Sequence, residues 1–174
     1  MKLIAKAAHQ KPSSRRGATA VLVTVLLIPL LAFAALSVDI GWMATTKSTL
    51  QNAADSAAAA GARQLTDNFA AYSMPSQKQR QSLISGAQTS ATTFSKRFCS
   101  YNGAGGVTSL NLRDADTTFG FTDATNSFTS SATYTGFPNT VQVTVRRDAS
   151  SNGSLPFFFA PAIGRKDTAL TATS

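Results

Sequence analysis

Residues 17–38 carry no charge, and this run of 22 apolar and small residues is the dominant feature of the hydropathy pattern. A helix rising about 1.5 Å per residue over that length matches the hydrocarbon thickness of a bilayer, about 30 Å. The pattern therefore predicts a single transmembrane helix over residues 17–38, with Pro29 in its middle as the site of a kink. No breaker follows. Leu50, Ala54, Ala57, Gly61, Leu65 and Phe69 recur at steps of three and four, while Lys47, Asn52, Asp55, Arg63 and Asp67 fall mostly elsewhere around the helix. This predicts an alanine-rich amphipathic helix over residues 39–72 continuing the span. Its seam of small residues lets a second backbone come close, belonging either to this chain's own domain or to another subunit.

Met74 and Pro75 interrupt the helical period, and Ser76 with Gln79 forms a capping box that opens a second helix. Leu83, Ala87, Ala91, Phe94 and Phe98 mark its expected inner face as far as Cys99. After the turn signal of residues 102–106 the period changes to alternation. Val107, Leu110 and Leu112, then Phe119 and Phe121, then Val141, Val143 and Val145 read as short strands, with a last weak strand over residues 167–174. Residues 155–161, Leu-Pro-Phe-Phe-Phe-Ala-Pro, are expected to form a short helical turn plugging the core, with docking to a partner as the lesser reading of the phenylalanines. The fold class expected is α+β: a small antiparallel sheet packed on the soluble helices in a domain over residues 76–174.

Charge orients this arrangement. Lys2, Lys6, Lys11, Arg15 and Arg16 precede the span, whereas Asp39 follows it at once and the next cation is Lys47. The positive-inside bias puts the basic leader, residues 1–16, in the cytoplasm and the rest across the membrane. A cleaved signal peptide ending near Ala32-Phe33-Ala34 and a twin-arginine signal at Arg15-Arg16 are weaker readings, since the apolar run is long and Gly17-Ala18-Thr19 is not bulky. Of the formal charge of +8, those five cations account for +5, and a remainder of +3 does not call for nucleic acid.

Composition excludes most chemistry. All 8 acids are aspartates, the one histidine, His9, lies in the leader, and Cys99 is the one cysteine. That leaves no acid–base pair outside the leader and predicts a non-enzymatic chain with neither metal nor cofactor. The run Asp148-Ala-Ser-Ser-Asn152-Gly153 has the oxygen spacing that starts a calcium loop but lacks its closing acid, so a polar hairpin loop is expected. Cys99 reads as a core residue, with an intermolecular disulfide as the lesser option. Asp39 is placed to cap the membrane exit or to meet a neighbouring protein's cation.

Several linked pieces resemble one family. Arg16-Gly17 before the span, Pro29 within it, Val38-Asp39-Ile40-Gly41 at its exit and Leu50-Gln51-Asn52-Ala53-Ala54-Asp55 leading to Ala60-Gly61-Ala62 are similar to the N-terminal region of Tad/Flp pilus-assembly proteins of the TadE/TadG type, closest to the TadG-like branch. The resemblance covers residues 15–65. It implies a pseudopilin-like architecture, a bacterial inner-membrane anchor with a periplasmic domain, and partners among other Tad/Flp pilus-assembly proteins, besides the lipid bilayer and a possible homo-oligomer. It also makes Gly17, Pro29, Val38 and Asp39 the anchor residues, and Leu50, Ala54, Ala57, Gly61 and Leu65 a seam for packing against a partner. Pilins processed by a prepilin peptidase carry a Glu five residues after the cleaved Gly. Leu22 stands there instead, which favours a permanent tether over a processed minor pilin. An anchored adhesin or ligand-binding module, using the Thr/Ser-rich residues 117–135, is the alternative from another class.

Overall fold

The computed structural model describes residues 15–72 and 77–174. Most of the basic leader, the Met74-Pro75 break and the Ser76 cap lie outside the described residues. Helix α1, Arg15–Tyr72, is a single element of 58 residues that runs through Pro29. Helix α2, Gln77–Ser100, returns antiparallel to it, as the contacts Gln64 to Ser90 and Ala57 to Ser95 show. The fold is α+β: a long apolar N-terminal helix, a second helix and then a small antiparallel sheet.

That sheet has the order β2-β1-β3-β6, formed by β1 (Thr117–Thr122), β2 (Phe128–Ser130), β3 (Thr140–Arg147) and β6 (Leu170–Thr173), with every neighbouring pair antiparallel. Its central register sets Phe119 opposite Val141 and Val145 opposite Ala172. The alternation of Val141, Val143 and Val145 in β3 turns all three toward the helices, where they are buried. A separate ribbon of β4 (Leu155–Pro156) and β5 (Asp167–Thr168) projects from the same domain.

The seam of α1 is the centre of this packing. Leu50, Ala54 and Ala57 are fully buried, and Gly61 and Leu65 are buried beside them, against α2 and β3 of the same chain. The face these five residues offer is thus taken by the chain's own second helix and sheet. Two backbones meet closely here. A Cβ on Gly61 would stand 2.4 Å from Ser95 Oγ and 3.2 Å from Val141 Cγ1, while Ser95 Oγ donates to the Ala57 carbonyl at 2.9 Å.

Two expectations are corrected by the structure. The inner face of α2 is Ile84, Ala87, Ala91, Ser95 and Cys99. Phe94 and Phe98 are rotated to the flank, Phe98 being 41% exposed, because a bulky ring cannot fit between backbones this near. Residues 107–112 are a loop and not a strand. Leu110 and Leu112 are buried as their pattern requires, but the backbone bonds irregularly: Leu110 N–H to the Asn102 carbonyl and Asn111 N–H to Asn152 Oδ1.

Gly61→Ala is expected to overpack the seam and lower stability by roughly 1–3 kcal/mol, less the ~1 kcal/mol that alanine gains in a helix. Adding Ser95→Ala removes the clashing hydroxyl and should restore the loss. The thermal midpoint of the full chain in detergent, followed by near-ultraviolet circular dichroism, checks this; a double variant no better than Gly61→Ala would refute the contact.

Candidate functional site

Where α1 leaves its apolar run, its side chains grip the C-terminal part of the domain. Asp39 is 3% exposed. Its Oδ1 accepts the N–H of Phe158 at 2.8 Å, and Oδ2 accepts those of Ala160 at 2.7 Å and Phe159 at 3.1 Å. These are the free donors at the start of a 3-10 turn, Ala160–Ile163, whose own N-cap residue Phe159 supplies no side-chain bond. Asp39 thus caps a helical turn 121 residues away in sequence.

Burial pushes the Asp39 carboxyl up, but the N–H groups of Phe158, Ala160 and Phe159 outweigh it and hold the pKa below the usual carboxylate value. Within the chain, the partners of Asp39 are therefore the backbone amides of residues 158–160.

Further contacts run up the same stretch of α1. The Trp42 ring lies 5.6 Å from that of Phe158. Lys47 Nζ donates to the Thr171 carbonyl, and Gln51 Nε2 to that of Thr173 at 3.2 Å. Between them the loop at Gly105 wedges against Thr46 and Leu155. Its φ of +56°, and a Cβ position only 2.5 Å from Leu155 Cδ1, leave room for glycine alone. Arg147 continues the inward row of β3 and is 3% exposed. Its guanidinium donates to the carbonyls of Gly105 and Asn152, and desolvation lowers its pKa.

The remaining candidates resolve as structure. Asp148 Oδ1 accepts from Ser150 N at 2.8 Å, Ser150 Oγ at 2.6 Å and Ser151 N at 3.1 Å, making a tight polar turn. The hydrogen bond from the Ser150 hydroxyl is the first cause of its lowered pKa. Among the described residues no three His, Cys, Asp or Glu side chains gather as a metal would need. Cys99 is fully buried, and desolvation raises its thiol to about 11. Neighbouring cations do not activate it, since Lys96 pairs with Asp114 and Arg97 reaches the Tyr101 hydroxyl.

Of the anchor residues, Gly17 and Pro29 are exposed along α1, as is Val38 at 51%, while Asp39 is buried. Residues 155–161 do not form the one helical turn expected of them, nor do their phenylalanines plug the core: Leu155-Pro156 is strand β4, the 3-10 turn begins only at Ala160, and Phe158 and Phe159 face outward while Leu155 and Ala160 are buried. The bonds from Lys47 and Gln51 were not foreseen. A helical turn with no N-cap side chain of its own, in a chain with an isolated acid at the end of an apolar run, was the available signal for the Asp39 contact.

Comparison with known proteins supplies one match. Residues 17–64 match the Tad family model, described as "Putative Flp pilus-assembly TadE/G-like". No curated protein and no solved structure matches the chain at a significant level.

The depressed pKa of Asp39 fixes the sign of its pH dependence. The stability it contributes is present above the unfolded value, about 3.9, and is lost as pH falls through the lower folded value. Trp42, the sole tryptophan, reports on this turn, so its emission should hold steady down to about pH 4 and shift to a released form below it. Asp39→Ala, which removes both acceptor oxygens, should give the released emission at every pH; identical spectra for variant and parent would exclude the contact.

Proposed function

We propose, from the match of residues 17–64 to the TadE/G-like Flp pilus-assembly family model, that this chain is a non-enzymatic structural component of a Tad/Flp pilus machine, tethered permanently in the bacterial inner membrane. Residues 17–38 cross the bilayer once, the basic leader stays in the cytoplasm, and residues 39–174 stand in the periplasm. Its role is assembly: the domain is held on a stiff rod at fixed height and orientation for other pilus-assembly proteins to engage.

The observation that supports this best is the division of α1. Its N-terminal part holds a window of mean hydropathy 2.7 with none of its residues buried, and Leu22, Leu26, Leu30 and Phe33 stand exposed on a helix long and apolar enough to cross a membrane. The C-terminal part, from Asp39 onward, is instead covered on one face by the domain. An apolar helix bare all round has lipid as its fitting solvent. Leu22, five residues after Gly17, favours the tether over a processed pilin.

Leu26→Arg, near the middle of the span, should cost about 2.5–3.5 kcal/mol on insertion and shift the protein from the carbonate-resistant membrane fraction to the soluble one. Protease added to spheroplasts should digest residues 39–174 of the parent protein. N-terminal sequencing should find no chain beginning at Ala18; finding one would replace the tether with a processed pilin.

A further inference from the structure

The ribbon of β4 and β5 ends in residues 157–166, whose sequence is Phe-Phe-Phe-Ala-Pro-Ala-Ile-Gly-Arg-Lys. The tip is rigid. Phe157 N–H bonds the Lys166 carbonyl at 3.0 Å, Gly164 closes the 3-10 turn in the left-handed conformation at φ 85°, and Arg165 N–H returns to the Ala160 carbonyl at 3.1 Å. Leu155 and Ala160 are buried. Phe158, Phe159 and Ile163 are left outside, 62%, 49% and 70% exposed.

Three large apolar side chains on one rigid tip form an exposed patch of the kind that marks an interaction surface. Their height identifies the occupant. Asp39 is the first residue after the apolar run, and its carboxylate holds the N–H groups of Phe158, Phe159 and Ala160 directly. The stripe of covered positions on α1, which includes Ala35, Asp39, Trp42 and Thr46, starts one turn inside that run. The tip therefore sits level with the end of the span, next to exposed Val38 and Ile40. Arg165 and Lys166 are exposed beside the apolar patch, and Asp167 belongs to the stem of the ribbon, opposite Pro156. Aromatic and aliphatic groups flanked by cations suit the boundary between acyl chains and anionic headgroups.

We propose that residues 157–166 are a second membrane contact, a monotopic foot that seats Phe158, Phe159 and Ile163 in the leaflet from which α1 emerges and sets Arg165 and Lys166 on phospholipid phosphates. The occupant is the lipid surface itself, reached by continuity with the span. This rests on the reading of residues 17–38 as membrane-spanning. Span and foot together hold the bilayer at two points, which fixes the rotation and tilt of the domain as one helix alone would not.

Depth-dependent quenching tests it with the full chain in vesicles of phosphatidylethanolamine and phosphatidylglycerol containing brominated lipids. In a Trp42→Phe background, a single tryptophan is placed by Phe158→Trp, by Ile163→Trp, by Leu26→Trp in the span, or by Thr125→Trp in the β1–β2 turn. The foot predicts blue-shifted emission at positions 158 and 163, quenched most by bromines about 5–10 Å into the headgroup and acyl boundary, with position 125 remaining aqueous. Position 26 should be quenched by deep bromines. If position 26 is quenched while 158 and 163 both keep aqueous, unquenched emission, the foot is overturned and the span stands. If position 26 is also unquenched, the span fails and the foot with it.

Discussion

Helix α1 is continuous from Arg15 to Tyr72, and each residue turns about 100° from the one before, so the faces of its two halves cannot be set independently. The rotation that presents Ala54, Ala57 and Gly61 to α2 also determines which side of the apolar run lies beneath the domain. Close packing enforces this rotation. With Ser95 Oγ on the Ala57 carbonyl and no room for a Cβ at Gly61, α2 fits over one narrow stripe, and β3 fills what remains beside it. Sliding or turning the rod by one residue would bring a larger side chain into that space.

Apolar burial builds the upper part of the domain, whereas directional polar contacts place its lower part. Asp39, Lys47 and Gln51 all spend side-chain atoms on main-chain groups of residues 158–173. Hydrogen bonds of this kind contribute modest net energy but lose it steeply with misalignment, so they specify where the ribbon sits more than whether the domain folds. Arg147 acts in the same way from inside, tying the Gly105 loop to the end of β3.

The rod and the fold class were legible because both depend on period and length, which sequence shows directly: 22 uncharged residues, a repeat of small residues, then alternation in Val141, Val143 and Val145. What misled was size. Phe94 and Phe98 are large apolar residues of α2 for which the pattern predicts the inner face, yet opposite Ala57 and Gly61 the partner helix is so near that the small residues Ala87, Ala91, Ser95 and Cys99 line that face instead. Leu110 and Leu112 are buried as their pattern requires, but burial does not dictate a ladder when Asn102 and Asn152 supply the hydrogen bonds. The partner of Asp39 left only an indirect signal, because it consists of backbone donors, which no residue type announces.

The separation between Asp39 and Ala160, 121 residues, also sets an order of events. Chains emerge from their N-terminus and tend to fold in that order, so the apolar run can settle long before residue 160 exists. α2 can cover the alanine face as soon as Ser100 has followed. The Asp39 carboxylate, by contrast, waits without these donors until residues 158–160 have emerged. Closing that contact therefore follows the pairing of the two helices, and the geometry between rod and ribbon becomes final only once residues 158–160 have been made.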